Sequence, residues 1–316
     1  MTPNRIIAAS AAALAAAVLV LVPVLAAAPA AAQDRGTVDP KPLPPLAHPD
    51  DPKTPAKALF GRKATPSSME ARSIGFYSKG CLAGGIALPV NGPAWQVMRL
   101  SRNRNWGHPN LVAMLERLAV DARKVGWPGL LVGDLSQPRG GPMLTGHASH
   151  QVGLDADIWL TPMPDRELTR REREEMSATM VVARDRKDVD PAVWTPGHVA
   201  VIRTAAKRPE VERIFVNAAI KKALCRDPGA DRGWLNKVRP YWGHDYHFHI
   251  RIVCPAGDGG CKPQPPVPAG DGCNELDWWF QDSVLHPPPP KEPPKPRPPL
   301  TMADLPPACR VVLQEP

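Results

Sequence analysis

Two short stretches concentrate the side chains able to do chemistry: GHASHQVGLDADIW, Gly146 to Trp159, and WGHDYHFHIRI, Trp242 to Ile252. Together they hold five of the nine histidines, His147, His150, His244, His247 and His249, and the first adds Asp155 and Asp157. In the second, Tyr246, Phe248 and Ile250 alternate with His247, His249 and Arg251, the period of a strand with one apolar and one polar face. His247 and His249 then point the same way. Leu154, Ala156 and Ile158 alternate with Asp155, Asp157 and Trp159 in the same fashion, so a second strand presents a carboxylate toward those imidazoles. Two imidazoles and one carboxylate around an open position form the ligand set of a hydrolytic zinc site, where the ion brings the pKa of water near neutrality. A single histidine on a strand is usually a satisfied or surface residue. Five in two strand-like stretches, with aspartates interleaved, point instead to a metal.

Other chemistries fit less well. No serine has a lysine three places on and GxSxG is missing, which removes the motifs of a penicillin-binding type of acyl-enzyme. Two histidines and an aspartate also serve non-haem iron oxygenases, but an exported chain with paired cysteines is a poor home for ferrous iron. A binding module with a structural or relic metal is the third alternative.

The elements that must position these residues are legible in outline. Asn110 to Val125 carries Leu111, Met114, Leu115, Leu118, Ala119 and Ala122 at helical spacing, stopped by Gly126 and Pro128. Leu130 to Leu135 reads as a strand, and Pro138-Arg139-Gly140-Gly141 as a loop delivering the chain to the first histidine stretch. Leu154 to Leu160 is the strand bearing the aspartates. Thr169 to Ala178 is strongly charged and reads as an exposed helix with solvated charges. Thr195 to Lys207 is a further helix with an early proline. Val211 to Val216 is a strand, Ala218 to Cys225 a short helix, and Tyr246 to Val253 the strand of the second histidine stretch. Helices and strands mix without regular alternation, so we expect a single α+β domain with a mainly antiparallel central sheet carrying the metal site, flanked by helices and long loops.

Composition sets the boundaries. In residues 1–32 Arg5 is the only charge, a long Ala, Val and Leu run follows, and Ala30-Ala31-Ala32 before Gln33 is a small-residue cleavage site. We therefore expect a signal peptide and an exported protein, with an uncleaved anchor as the alternative because the run is long enough to span a bilayer. Residues 33–72, rich in Pro, Lys and Asp toward their start, read as a linker. Residues 73–286 read as the folded domain that carries the candidate zinc site, and 287–316 as a proline-rich C-terminal segment. The net charge of +8 suits an anionic polymer such as the cell wall, or a membrane surface. No basic helix or aromatic stacking motif argues for nucleic acid. All six cysteines, Cys81, Cys225, Cys254, Cys261, Cys273 and Cys309, lie in the exported part, where disulfides are the default. None has the CxxC spacing of a zinc-thiolate site.

GHASHQVGLDADIW followed by HDYHFHIRI resembles the penicillin-insensitive murein endopeptidases, the MepA type of LAS metallopeptidases. The resemblance also takes in GDLSQPRGG (Gly133 to Gly141), VERIFVNAAIKKALC (Val211 to Cys225) and DRGWLNKVRPYWGH (Asp231 to His244), and runs from about Ser73 to Trp279. It implies a zinc peptidase that cuts the D-alanyl to meso-diaminopimelyl cross-link of peptidoglycan, insensitive to β-lactams. Cross-link peptides are then the partner, with a second copy of the chain as a further candidate. A D,D-carboxypeptidase or dipeptidase of the same fold is the alternative. Carried over by position, the zinc ligands are His150, Asp157 and His249, with His147, His244 and His247 completing the site. No HExxH glutamate is present, so a histidine has to take the proton of the attacking water and pass it to the leaving amine. His247 shares a strand face with His249 and is the first choice; His244 is the second. Asp155 suits the role of orienting a ligand histidine through its other ring nitrogen. An additional metal pair of Asp and His three residues apart, known in the family, maps onto Asp185 and Asp188. The second position is a harder oxygen donor here, which weakens the case for a zinc at Asp185. The resemblance pairs Cys81 with Cys309, Cys225 with Cys273 and Cys254 with Cys261.

Overall fold

The strand reading is met to within a residue or so at its ends: Asp155–Trp159 and His247–Ile252 are adjacent antiparallel strands. They lie at the middle of a seven-stranded sheet in the order Val238–Pro240, Val211–Val216, His247–Ile252, Asp155–Trp159, Leu130–Val132, Trp95–Val97, Asn91–Gly92. Four of its six pairings are antiparallel, and the two parallel ones lie toward the edges. The computed structural model describes residues 35–226, 231–290, 292 and 297–315. The expected targeting segment, residues 1–32, lies outside them. Among the described residues no helix is long and apolar enough to cross a membrane.

The alternation explains the layering. Ala156, Ile158, Phe248 and Ile250 are fully buried in the main core, where they meet Ile214, Val216 and Val132 from neighbouring strands. The helices Pro109–Lys124 and Pro196–Ala206 contribute Leu111, Leu115, Leu118, Val201 and Ile202 to the same core. The first starts where Nδ1 of His108 accepts from the Asn110 amide and Pro109 supplies a preset φ. It ends before Gly126, whose φ of 85° favours glycine. Burying each such leucine contributes roughly 1.5–3 kcal/mol, so the apolar face of the sheet is held firmly. The polar face of both site strands is buried as well, because loops close over it.

Three disulfides join Cys81 to Cys309, Cys225 to Cys273 and Cys254 to Cys261, the pairing the resemblance implied. The first ties the C-terminal helix Ala308–Gln314 to the hairpin Arg72–Phe76 and Lys79–Ala83. A smaller core forms there from Phe60, Ile74, Cys81, Leu305 and Val312. Phe60 belongs to a short helix, Ala56–Phe60, within the span read as linker, so part of that span is packed.

The charged stretch after Thr169 differs from expectation. Its helix, Arg170–Glu175, opens with a capping box between Thr169 and Glu172, but Arg173 and Glu174 are buried. Arg173 donates to the carbonyls of Leu168 and Val97 and to the side chains of Asn91 and Gln96, while Glu174 accepts from Ser101. Charge composition does not reveal these partners, which come from remote parts of the chain and make burial tolerable.

Candidate metal centre

Register brings the site together. His249 is paired with Asp157, Arg251 with Asp155 and His247 with Trp159 across the two central strands. Residues opposite one another have side chains on the same face, which sets the imidazoles of His247 and His249 beside both carboxylates. Nδ1 of His249 lies 3.2 Å from Asp157 Oδ1, and His247 Nε2 lies 3.6 Å from the same oxygen.

The other two histidines arrive on the loop from Leu135 to Leu154. Gly140 turns this loop with a φ of 62° at a point where a Cβ would fall 2.1 Å from the Gln151 carbonyl. Ser136 Oγ donates to the His150 carbonyl at 2.7 Å, and the His150 amide donates to Asp155 Oδ2 at 2.9 Å. His150 itself has a φ of 65°, a conformation that costs a non-glycine residue roughly 1–2 kcal/mol. Its Nδ1 lies 2.7 Å from the Leu135 carbonyl and so carries the proton. The lone pair of Nε2 is thereby left facing Asp157 Oδ1, 3.5 Å away. His147 places Nδ1 3.6 Å from Asp157 Oδ2 and Nε2 3.0 Å from Asp134 Oδ2.

His147, His150 and Asp157 offer ligand atoms that all lie within 4.8 Å of one another. His249 stands at the edge of that trio, against Asp157. His150 Nε2, Asp157 Oδ1 and His247 Nδ1 are all buried without a hydrogen-bond partner. Buried polar atoms are seldom left so, and a cation between the imidazoles and Asp157 would account for the first two directly. The residues present therefore fit a metal ion.

His244 lies in the turn preceding the second strand, with Gly243 and His244 both at positive φ. Its Nδ1 donates to the Trp242 carbonyl at 2.8 Å, and its ring is 4.8 Å from that of His247. Burial, reinforced by the neighbouring imidazoles, pulls His244 down to about 3. Burial likewise takes His247 down to about 4, with Asp157 opposing. Each is thus neutral at neutral pH, the form a proton acceptor needs. Burial also weighs against the charged form of His249, but Asp155 outweighs it and raises the group.

Asp185 is not part of this centre. It is exposed and accepts from the Lys187 amide, and both oxygens of Asp188 are taken by Arg226 at 2.7 and 2.8 Å. Sequence reasoning missed Asp134, whose Oδ2 holds His147, Arg102 and Arg104 at 2.9 to 3.0 Å. Burial would raise this carboxyl, yet His147 and then the two guanidiniums hold it well below the carboxylate range. Its one signal was an acid closing the apolar run LLVGD.

Two clefts open beside the centre and share His147. One, of about 380 Å³, is walled by Phe76, Tyr77, Phe215, Tyr241, His244 and His249. The other, of about 130 Å³, is walled by Arg102, Arg104, Asp134, Tyr246 and His247.

An α+β domain whose central antiparallel strands carry a histidine and aspartate cluster between two clefts has the build of a metal-binding hydrolase. The sequence model of the penicillin-insensitive murein endopeptidases matches residues 73–314. The chain belongs to that peptidase family. It is similar to the penicillin-insensitive murein endopeptidase of Haemophilus influenzae, 49% identical over 230 residues, covering 72% of this chain and 76% of the relative. It is also similar to the proteins of that name from Klebsiella pneumoniae, 45% identical over 255 residues, and Escherichia coli O1:K1, 44% identical over 255 residues. Each of these two alignments covers 79% of this chain and 89% of the relative.

Proposed function

We propose that this protein is an exported zinc endopeptidase that hydrolyses the D-alanyl to meso-diaminopimelyl cross-link of murein. The observation that carries the reading is the convergence of His150 Nε2 and Asp157 Oδ1, buried and without hydrogen-bond partners, beside Nδ1 of His249. Family membership supplies the substrate class.

His150, Asp157 and His249 would hold the ion, with His147 close enough to compete for a ligand position. Bound there, zinc supplies Lewis acidity, acidifying water and polarising the amide carbonyl. The chain's own residues do the rest. Leu135 O and Asp155 fix the rings of His150 and His249 through their second nitrogens, so that ring rotation is not needed on binding. His247, neutral and on the strand face of His249, takes the proton from the attacking water and returns it to the leaving amine. His244 borders the larger cleft and positions the carbonyl side of the substrate. The three disulfides and the apolar run of residues 1–32 support a periplasmic location.

Incubation with defined cross-linked muropeptides, with and without chelator, tests the reading. Chelator-sensitive conversion of dimers to monomers is expected. Release of free D-alanine from pentapeptides would make the protein a carboxypeptidase, and wall binding without cleavage a binding module.

A further inference from the structure

The smaller cleft has a composition that the peptide bond itself does not call for. Its wall carries three guanidiniums, Arg99, Arg102 and Arg104, against two carboxylates, Asp134 and Asp157. Of these, Asp157 is committed to the metal on the reading above, which adds positive charge to the cleft. Arg99 is anchored by the carbonyls of Arg173 and Met176 and lies 5.0 Å over the Trp159 ring. Arg104 spends Nη1 on Asp134 and Nη2 on Thr145. Arg102 uses only Nη1, donated to Asp134 Oδ2 at 3.0 Å, and among the described residues no other hydrogen bond of its guanidinium is seen. Its side chain is 18% exposed. The Tyr246 hydroxyl, on the same wall, also makes no hydrogen bond among the described residues.

A partly buried surplus of positive charge, with two donor groups that no protein acceptor occupies and that face the cleft, suits an anion, which can accept from both at once. The size narrows the class. About 130 Å³ is the share of roughly four waters in the liquid, enough for a carboxyl group and its carbon but well short of the roughly 300 Å³ at which ligand pockets for larger molecules begin.

We propose that Arg102 and Tyr246 form a carboxylate-recognition subsite for the residue on the amine side of the scissile bond. The inference rests on the cross-link reading above. In that cross-link the carbon bearing the scissile nitrogen also bears a free carboxylate. With the scissile carbonyl beside the position that His150, Asp157 and His249 would give the ion, this carboxylate falls within a residue's length of the metal centre. The small cleft, bounded by Asp157 and His247, adjoins that centre. The guanidinium of Arg102 and the phenol of Tyr246 then donate to it, a charge-assisted pair that orients the leaving amine toward His247. Arg102 and Tyr246 are specificity-determining residues on this account.

The test compares two cross-linked dimers that differ only at this group, one with the free carboxylate and one with the carboxamide, a near-isosteric neutral replacement. The wild-type protein is expected to cleave the acid with a kcat/KM about 10- to 100-fold above the amide, the value of a charge-assisted hydrogen bond. In Arg102→Gln that ratio falls toward one. Tyr246→Phe, which preserves packing, lowers it in part while bound metal stays at the wild-type level. Because Arg102 also supports Asp134, the ratio is the readout and not the absolute rate. A wild-type ratio near one, or wild-type ratios in both variants, overturns the subsite while leaving the cross-link reading intact. Failure of the wild-type protein to cleave either dimer overturns that reading and the subsite with it.

Discussion

Asp155 Oδ1 lies 3.1 Å from His249 Nε2 and 2.7 Å from Arg251 Nε, so one fully buried carboxylate both steadies the His249 imidazole, a proposed metal ligand, and neutralises an arginine. Arg251 is itself clamped between Tyr77 and Phe215, 4.0 and 5.1 Å from their ring centroids. Burial would raise the Asp155 carboxyl, but Arg251, followed by His249 and His150, holds it well below the carboxylate range.

Asp155→Asn is therefore expected to weaken metal binding about 10- to 100-fold by freeing the His249 ring. Leaving Arg251 buried and unpaired should also cost on the order of 3 kcal/mol of stability. Metal titration and urea denaturation read the two effects separately. Unchanged metal affinity would mean that His249 needs no support from Asp155.

His249→Ala is expected to lose metal and activity together, as measured by elemental analysis and muropeptide turnover. Zinc restored to chelated wild-type protein should recover turnover. A fully metallated, active His249→Ala protein would contradict the ligand set.

His247 and His244 separate by their pH behaviour. His247→Ala should keep its metal and lose about 10²- to 10⁴-fold in turnover, the usual contribution of a general base. His244→Ala should lose less, up to about 10²-fold if it positions the developing oxyanion. If instead the limb of the pH–rate profile reporting proton uptake vanishes in His244→Ala and survives in His247→Ala, the roles are exchanged.

Penicillin should leave turnover unchanged and no serine modified, because no SxxK serine is present to be acylated. Mass spectrometry after prolonged incubation checks this directly; a serine adduct accompanied by inactivation would refute the hydrolytic mechanism.

Away from the site, Lys221 is fully buried and donates to the carbonyls of Leu235 and Asp271 at 2.8 and 2.6 Å. Burial, helped by Arg239, lowers it to about 7 from 10.5. Between those values the unfolded chain binds the extra proton, so this group's contribution to stability is full above pH 10.5 and is lost as pH falls through about 7. Lys221→Met should remove that slope. The difference in urea midpoint between the two proteins, followed from pH 7 to 10, should change with pH; a constant difference would show that Lys221 titrates normally.

The sequence by itself determined the two site strands and their inward faces, because a period of two in TyrHisPheHisIleArg and LeuAspAlaAspIleTrp is a local property of the chain. It also determined the amphipathic helix ending at Gly126, whose spacing and stop signal are equally local. What only the tertiary structure decided is who meets whom. Register set His249 against Asp157, and a one-residue slip, which neighbouring side chains forbid, would have turned each imidazole into the core. The buried Arg173 and Glu174 found partners far away in sequence, so a charged helix read as exposed became a brace for the sheet edge. Asp134, one acid among many in the sequence, became the anchor of His147 because Arg102 and Arg104 come within 3.0 Å of it only once the sheet has formed. Local periodicity dictates which way a side chain points; long-range packing and the pairing of buried charge dictate what it touches.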